Sequence, residues 1–431
     1  MEHHQENGVN NNEEEYTSIA TQTKMSDDDD ENAHLEEVCD SFRQYATFAR
    51  CDRAGRAHRL LTSLPQSQLE FLPQSMKPGT SEAMEREKEM QKAEIRNQFF
   101  IDSMLRHVGM PNSQDITQQE KHSMKKGKKK WSSDDNMSKV SSVLKSLVRD
   151  WSEEGAAERS QSYQPILDGV EKYLSLDGSM NHPPRLVVPG AGVGRLALEL
   201  YARGYEVQGN EFSFHMLLAS DFILNGGCSP ERPFAISPWL TETRNVRCAA
   251  DRARGILVPD VDPVSLIMGG SAKASSRDQH EPPEFSMAAG EFVSIYNNPK
   301  EHGKWDAVIS CFFLDTAHSI IKYMKTIYDM LKDDGIMINF GPLLYHWSGP
   351  PMRPNDKSVD DYHKRNSGLD NRYLSSVDMS WDDVKDVMTN VGFVLEEERL
   401  GIPAQYTSDS TSMMATEYNC VYCVVRKPAK K

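Results

Sequence analysis

The segment Gly190-Ala191-Gly192-Val193-Gly194 follows the apolar run Arg185-Leu186-Val187-Val188-Pro189 and precedes a helix-forming stretch, Leu196 to Arg203. Glycines between a strand and a helix permit a tight turn and let backbone amides approach a ligand closely. About twenty residues on, Glu211 ends a second short strand, where a carboxylate accepts both hydroxyls of a bound ribose. These residues predict a site for a cofactor that contains adenosine. A nicotinamide dinucleotide and S-adenosylmethionine both satisfy that geometry. The dinucleotide fingerprint has its third glycine one position later and needs the helix N-terminus for its pyrophosphate. The G-x-G-x-G spacing here favours S-adenosylmethionine and leaves the dinucleotide as the alternative.

Three further segments belong to the same crevice. A third strand ends at Ala288-Ala289-Gly290-Glu291-Phe292. There Glu291 is placed to accept a hydrogen bond from an adenine amine, and Phe292 either lies against the ring or is plain core. A fourth strand, Trp305 to Cys311, runs on through Phe312, Phe313, Leu314 and Asp315, at the carboxyl edge where open α/β sheets bind ligands. An acid there faces the group being transferred. Asp315 has a competing reading, as the cap of a helix that begins near Ala317. After a fifth strand, Gly335 to Phe340, the loop Gly341 to Trp347 brings His346 and two aromatics to the same edge. His318 reads as an ordinary helix residue.

The elements that must position these groups follow from periodicity. Leu35 to Val108 is helical, with one apolar face from Phe42, Tyr45, Ala46, Phe48 and Ala49 and another from Ile95, Phe99, Met104 and Val108. Residues 1–34 read as a disordered acidic tail, 35–110 as a helical module, and 111–136 as a polar linker whose lysines at 125, 126, 128, 129 and 130 are solvated. From Met137 to the end, helices alternate with short β-branched runs. That alternation predicts an α/β fold of the Rossmann type, with a parallel sheet and a helical N-terminal extension. The last strands are expected at Phe393 to Glu397 and Tyr418 to Val425. Ser380-x-x-Asp383 signals a helix start, and residues 268–284 and 348–372 read as surface insertions.

Composition limits the function classes. The chain has 431 residues and a formal charge of -15, with much of the excess in its first forty residues. An acidic chain with one short basic cluster is a poor nucleic-acid binder. No apolar stretch approaches the roughly 20 residues that a bilayer requires. A soluble protein of the cytoplasm, with the nucleus as a second compartment, is expected. Its 7 cysteines are scattered and odd in number, so reduced thiols are expected. Cys420 and Cys423 alternate to opposite faces of a strand and read as buried thiols, with no metal site.

At these residues the chain resembles the carnosine N-methyltransferase family. The blocks that carry the resemblance are Val148-Arg149-Asp150-Trp151-Ser152, Ala157-Glu158-Arg159, Val188 to Leu196, Gly209-Asn210-Glu211, Phe312 to His318, Gly341 to His346 and Val424 to Pro428. The resemblance implies a class I methyltransferase core that uses S-adenosylmethionine to methylate a small histidine-containing dipeptide on its imidazole, at the nitrogen nearer the side-chain stem. It implies a homodimer, whereas the pattern leaves a monomer open. Cofactor contacts would fall on Ser146, Arg149, Gly190, Gly192, Gly194, Glu211, Glu291, Phe292 and Cys311. Substrate contacts would fall on Phe312, Asp315, His346, Tyr406 and Tyr418, with Asp315 as the catalytic residue. Three departures stand out: Ser146 where the family has Gln, Glu291 where it has Asp, and Thr416 and Glu417 where it has aromatics. The chemistry agrees with these roles. A carboxylate accepting one imidazole N–H fixes the tautomer, turns the other nitrogen toward an electrophile, and stabilises the imidazolium that forms. Two other readings stay open, a histidine inside a protein as acceptor and a cofactor-binding protein without turnover.

Overall fold

A computed structural model describes residues 28–115, 131–176, 182–275 and 283–430. The β-branched runs form a seven-stranded sheet from β1 (Arg185–Pro189), β2 (Glu206–Glu211), β5 (Phe285–Ala289), β6 (Trp305–Cys311), β7 (Leu331–Gly341), β8 (Val394–Gln405) and β9 (Glu417–Arg426). Their spatial order is β5-β2-β1-β6-β7-β9-β8. The first five pair in parallel, and β9 is antiparallel to both β7 and β8. The order reverses between β1 and β6, so the loops after these two strands flank the crevice in which open sheets bind ligands. A separate hairpin, β3 (Phe234–Ile236) with β4 (Ile256–Val258), escaped the sequence because its strands are three residues long.

Alternation along the strands builds two cores. Leu186, Val188, Ile338, Phe340 and Cys420 face one; Val187, Met337, Cys423 and Val425 face the other. The two cysteines thus lie on opposite faces as their spacing predicts, both buried and unpaired. The first core also contains Val38, Phe42 and Tyr45 of α1 (Asp28–Ser63) and Phe100, Ile101 and Met104 of α2 (Ser81–His107). The N-terminal helices therefore share the core of the sheet. No helix among the described residues is long and apolar enough to cross a membrane.

Several expected boundaries shift. α1 begins at Asp28, inside the expected tail. Residues 1–27 and the lysine cluster at 125–130 lie outside the described residues. The expected face of α2 is half right: Met104 is buried and Val108 packs against the core, but Ile95 is 64% and Phe99 57% exposed, while Ala93, Asn97, Phe100, Ile101 and Leu105 turn inward. α3 (Asp134–Trp151) starts three residues early, capped by Ser133. The insertions carry helix: α7 (Pro263–Ser275) extends into the first, and α10 (Val359–Arg365) and α11 (Asn371–Ser375) lie in or across the second. β8 continues eight residues past its expected end. Its ladder with β9 shifts register between Arg399 and Ile402, where a bulge absorbs Leu400 and Gly401. The predicted capping signal is present, with Ser380 and Asp383 bonded reciprocally at the start of α12 (Trp381–Val391).

Candidate active site

The glycine loop joins β1 to α5 (Arg195–Ala202), and its three glycines all have positive φ. They serve different ends. A Cβ at Gly190 would come 2.8 Å from Phe313, and one at Gly194 2.8 Å from Leu224, so these two are packing glycines. A Cβ at Gly192 would meet nothing within 4 Å, so at this point the backbone faces open space into which a ligand fits. Glu211, at the end of β2, reaches back to the same residue: its Oε2 accepts from the Gly192 N–H at 2.9 Å, and its Oε1 accepts from Phe212 and Ser213 at 2.9 and 2.8 Å. Burial raises the Glu211 carboxyl above its usual range, and the three backbone N–H groups pull it back. A carboxylate has about four lone-pair sites, so three amides leave room for a ribose hydroxyl.

On the other side of the loop, α3 supplies Arg149. Its Nε and Nη2 grip the two oxygens of buried Asp150 at 2.7 and 2.8 Å, and Asp150 also accepts from the Tyr163 hydroxyl at 3.0 Å. Nη1 is left to meet an anionic ligand. Tyr163 comes from α4 (Ala156–Tyr173), and these residues share a cleft with Pro189, Gly190, Cys311 and Phe312. Burial pushes the Cys311 thiol up to about 12, which keeps it neutral. Ser146 is buried one turn before Arg149 and does not line the cleft. The α3 end is clamped to the loop by Asp260, which accepts from Arg159 at 2.6 Å and Arg195 at 2.7 Å, and by Trp151, whose Nε1 donates to the Val193 carbonyl at 2.9 Å.

Past β6 the chain turns through Phe312 at φ 50, a conformation a bulky residue adopts only where surroundings enforce it. Its ring lies 5.1 Å from Tyr406 and 6.2 Å from Tyr418, the two tyrosines at the facing ends of β8 and β9. Helix α4 holds that end in place: Glu158 accepts from the Thr407 and Ser408 N–H groups at 2.6 and 2.9 Å, and Gln161 from Gln405 at 2.8 Å. Asp315 follows in a short 3-10 turn and is 2% exposed. It does not cap the next helix, α9 (Ile320–Met330), which Ser319 caps instead. Asp315 reaches the β7 loop, accepting from the Leu344 N–H at 2.8 Å through Oδ2, while its carbonyl accepts from the His346 N–H at 3.0 Å. Burial raises its carboxyl, opposed by the Leu344 hydrogen bond and by the charge of His346. The arrangement is a buried carboxylate with lone pairs to spare, an exposed histidine beside it, and an aromatic wall opposite.

One expected cofactor residue is placed otherwise. Phe292 is 3% exposed and packs among Tyr296, Phe313 and Tyr323 at centroid distances of 5.2 to 5.4 Å, so it belongs to the second core and has no face for an adenine ring. Glu291 caps α8 (Phe292–Tyr296), its Oε2 accepting from the Ser294 N–H and hydroxyl at 2.7 and 2.8 Å. The exposed aromatic beside Glu211 is Phe212. Above it lies Arg372, 6.0 Å from the Phe212 ring and 3.8 Å over that of Trp347. Asp150, Tyr163, Glu158 and Arg372 escaped sequence reasoning, because only the folded contacts show what each one holds.

The model of the carnosine N-methyltransferase family matches residues 126–429. Carnosine N-methyltransferase of Mus musculus is 37% identical over 399 residues, covering 92% of this chain and 87% of that one. The protein of the same description from Rattus norvegicus is 36% identical over the same shares of both chains. That of Schizosaccharomyces pombe is 33% identical over 298 residues, 69% of this chain and 73% of the relative. The chain belongs to the carnosine N-methyltransferase family.

Proposed function

We propose that the protein transfers a methyl group from S-adenosylmethionine to an imidazole nitrogen of carnosine or a related histidine-containing dipeptide. The observation that carries this reading is Asp315, a buried carboxylate that bridges two loops and accepts from the Leu344 N–H. The residues at the crevice fit the cofactor: Gly192 opens onto free space, Glu211 has acceptor capacity left for a ribose, and Arg149 keeps one guanidinium nitrogen for the methionine carboxylate. When bound, the cofactor supplies an electrophilic methyl on a sulfonium.

What remains is for the chain to aim a lone pair and exclude water. Asp315 accepts the N–H of the neutral ring, which turns the other nitrogen toward the cofactor cleft. As the ring becomes cationic, the same carboxylate stabilises it in a dry surrounding. Phe312, Tyr406 and Tyr418 hold the ring plane, and His346 stands at the open side.

Purified protein incubated with methyl-labelled S-adenosylmethionine and carnosine is expected to yield labelled dipeptide. Label that enters only protein from an added lysate would move the acceptor to a histidine in a polypeptide. Cofactor binding without transfer to either would leave a binding protein.

A further inference from the structure

A polar cavity of about 130 Å³ lies beside the aromatic wall. Lys145, one helical turn before Arg149, lines it together with Thr407, Thr416 and three arginines from the β3–β4 connection, Arg244, Arg247 and Arg252. Strand register links it to the site. Ala404 pairs with Tyr418, and one step further in phase the Tyr406 N–H donates to the Thr416 carbonyl at 3.1 Å. Tyr406, Tyr418 and Thr416 therefore share one face of the sheet. Thr416 is two residues from Tyr418, about 7 Å along the strand, so the cavity adjoins the aromatic wall.

The charges say what the cavity accepts. Its acids each have a cationic neighbour: Glu242 has Lys145, Asp251 has Arg247 at 3.4 Å although its buried Oδ2 accepts no hydrogen bond, and Asp409 has Arg254 at 3.0 Å. Arg252 is not. Its Nη2 donates to the Leu240 carbonyl at 2.6 Å, its Nε has no hydrogen-bond partner, and it forms no ion pair among the described residues. Burial lowers its pKa, and Arg86, Arg53 and Arg56 lower it further, with Asp52 opposing. Arg53 and Arg56 are themselves engaged, by Glu87 and Glu94 and by Asp52. Arg244 is exposed at the rim with no ion pair among the described residues. A half-buried guanidinium without a counter-ion is costly, and a carboxylate meets it through charge-assisted hydrogen bonds.

We infer that this cavity is the subsite for the carboxylate of the acceptor, with Arg252 as its counter-ion and Arg244 at its mouth. The inference rests on the dipeptide reading and deepens it: the enzyme reads the anionic end of its acceptor as well as the ring.

Steady-state kinetics with carnosine and with its decarboxylated analogue, β-alanylhistamine, test this in the unaltered protein and in Arg252→Gln and Arg244→Gln. Cofactor affinity and Tm report whether each variant is folded. In Arg252→Gln the KM for carnosine is expected to rise about 10-fold or more, and in the rim variant about threefold, with the loss in KM rather than kcat. The KM for the analogue is expected to stay at its unaltered value in both. Equal effects on the two acceptors, or none on either, overturn the subsite, and Arg244→Gln decides alone if Arg252→Gln does not fold. An unaltered protein that methylates the analogue as efficiently as carnosine overturns the subsite but leaves the activity standing. Methylation of neither overturns both.

Discussion

Asp315 carries a cost that its role explains. Burial raises its carboxyl above the usual carboxylate range, so the folded protein holds that proton more tightly than the unfolded chain does. Stability from this group is therefore present below the unfolded value and is lost as pH rises through the folded one. Asp315→Asn keeps an acceptor for the Leu344 N–H and removes the buried charge. Its Tm is expected to equal or exceed that of the unaltered protein, while turnover drops by about two to three orders of magnitude. Thermal unfolding and a methyl-transfer assay check both halves; a lowered Tm with turnover intact would make Asp315 structural. Glu211→Ala is expected to weaken cofactor affinity at least about 10-fold, read by calorimetric titration. The acceptor ring reacts only when neutral and titrates near pH 6.5 in water. The kcat/KM is accordingly expected to rise with pH through about that value and level off above it, and a profile that falls over this range would contradict ring attack by the neutral form.

Among the elements, α1 docks on the sheet's helices through an uncharged histidine. His215, on α6 (Phe214–Leu224), sits 3.1 Å from Ser41 Oγ and 5.4 Å from the Phe42 ring. Ser41 gives its proton to the Val38 carbonyl, so His215 donates from Nε2. Burial lowers its pKa to about 4, with Lys139 and His34 adding to the effect. The unfolded state then takes up a proton first as pH falls, and stability is lost between about 6.5 and 4, on the order of 3 kcal/mol. Denaturant unfolding at pH 7 and pH 4 is expected to show that excess loss relative to His215→Gln, and equal losses would show that His215 is not the sensitive group. The other informative element is β8. Read as ending near Glu397, it runs on through its bulge and delivers Tyr406 to the crevice, which local turn signals conceal.

At the scale of the whole molecule, the helical extension and the sheet share one core. Val38, Phe42, Phe100 and Met104 sit in the same core as Leu186, Val188 and Ile338. Removing residues 1–110 would strip one wall from that core and expose contiguous apolar surface. Such a truncation is expected to aggregate, whereas the whole chain is expected to unfold in a single transition that coincides by far-UV circular dichroism and by tryptophan fluorescence. Separate transitions, or a soluble active truncation, would show that the extension folds as a domain of its own.

By itself the sequence determined the strand order along the chain, the glycine loop and the acids at the carboxyl edge. Period-two alternation, turn residues and short spacings are local, and each is enforced by backbone sterics within about twenty residues. Asp315 and His346 were legible for that reason: each directly follows a strand. Only the tertiary structure decided that Phe292 is core and that Phe212 is the exposed ring, since both are phenylalanines next to an acid at a strand end. It also decided which face of α2 is buried, what Asp150 and Glu158 hold, and that Arg252 stands without a counter-ion. Those facts depend on tertiary contacts, some of them between segments far apart in the chain, where packing and charge pairing choose among chemically similar side chains and the linear pattern carries no mark of the choice.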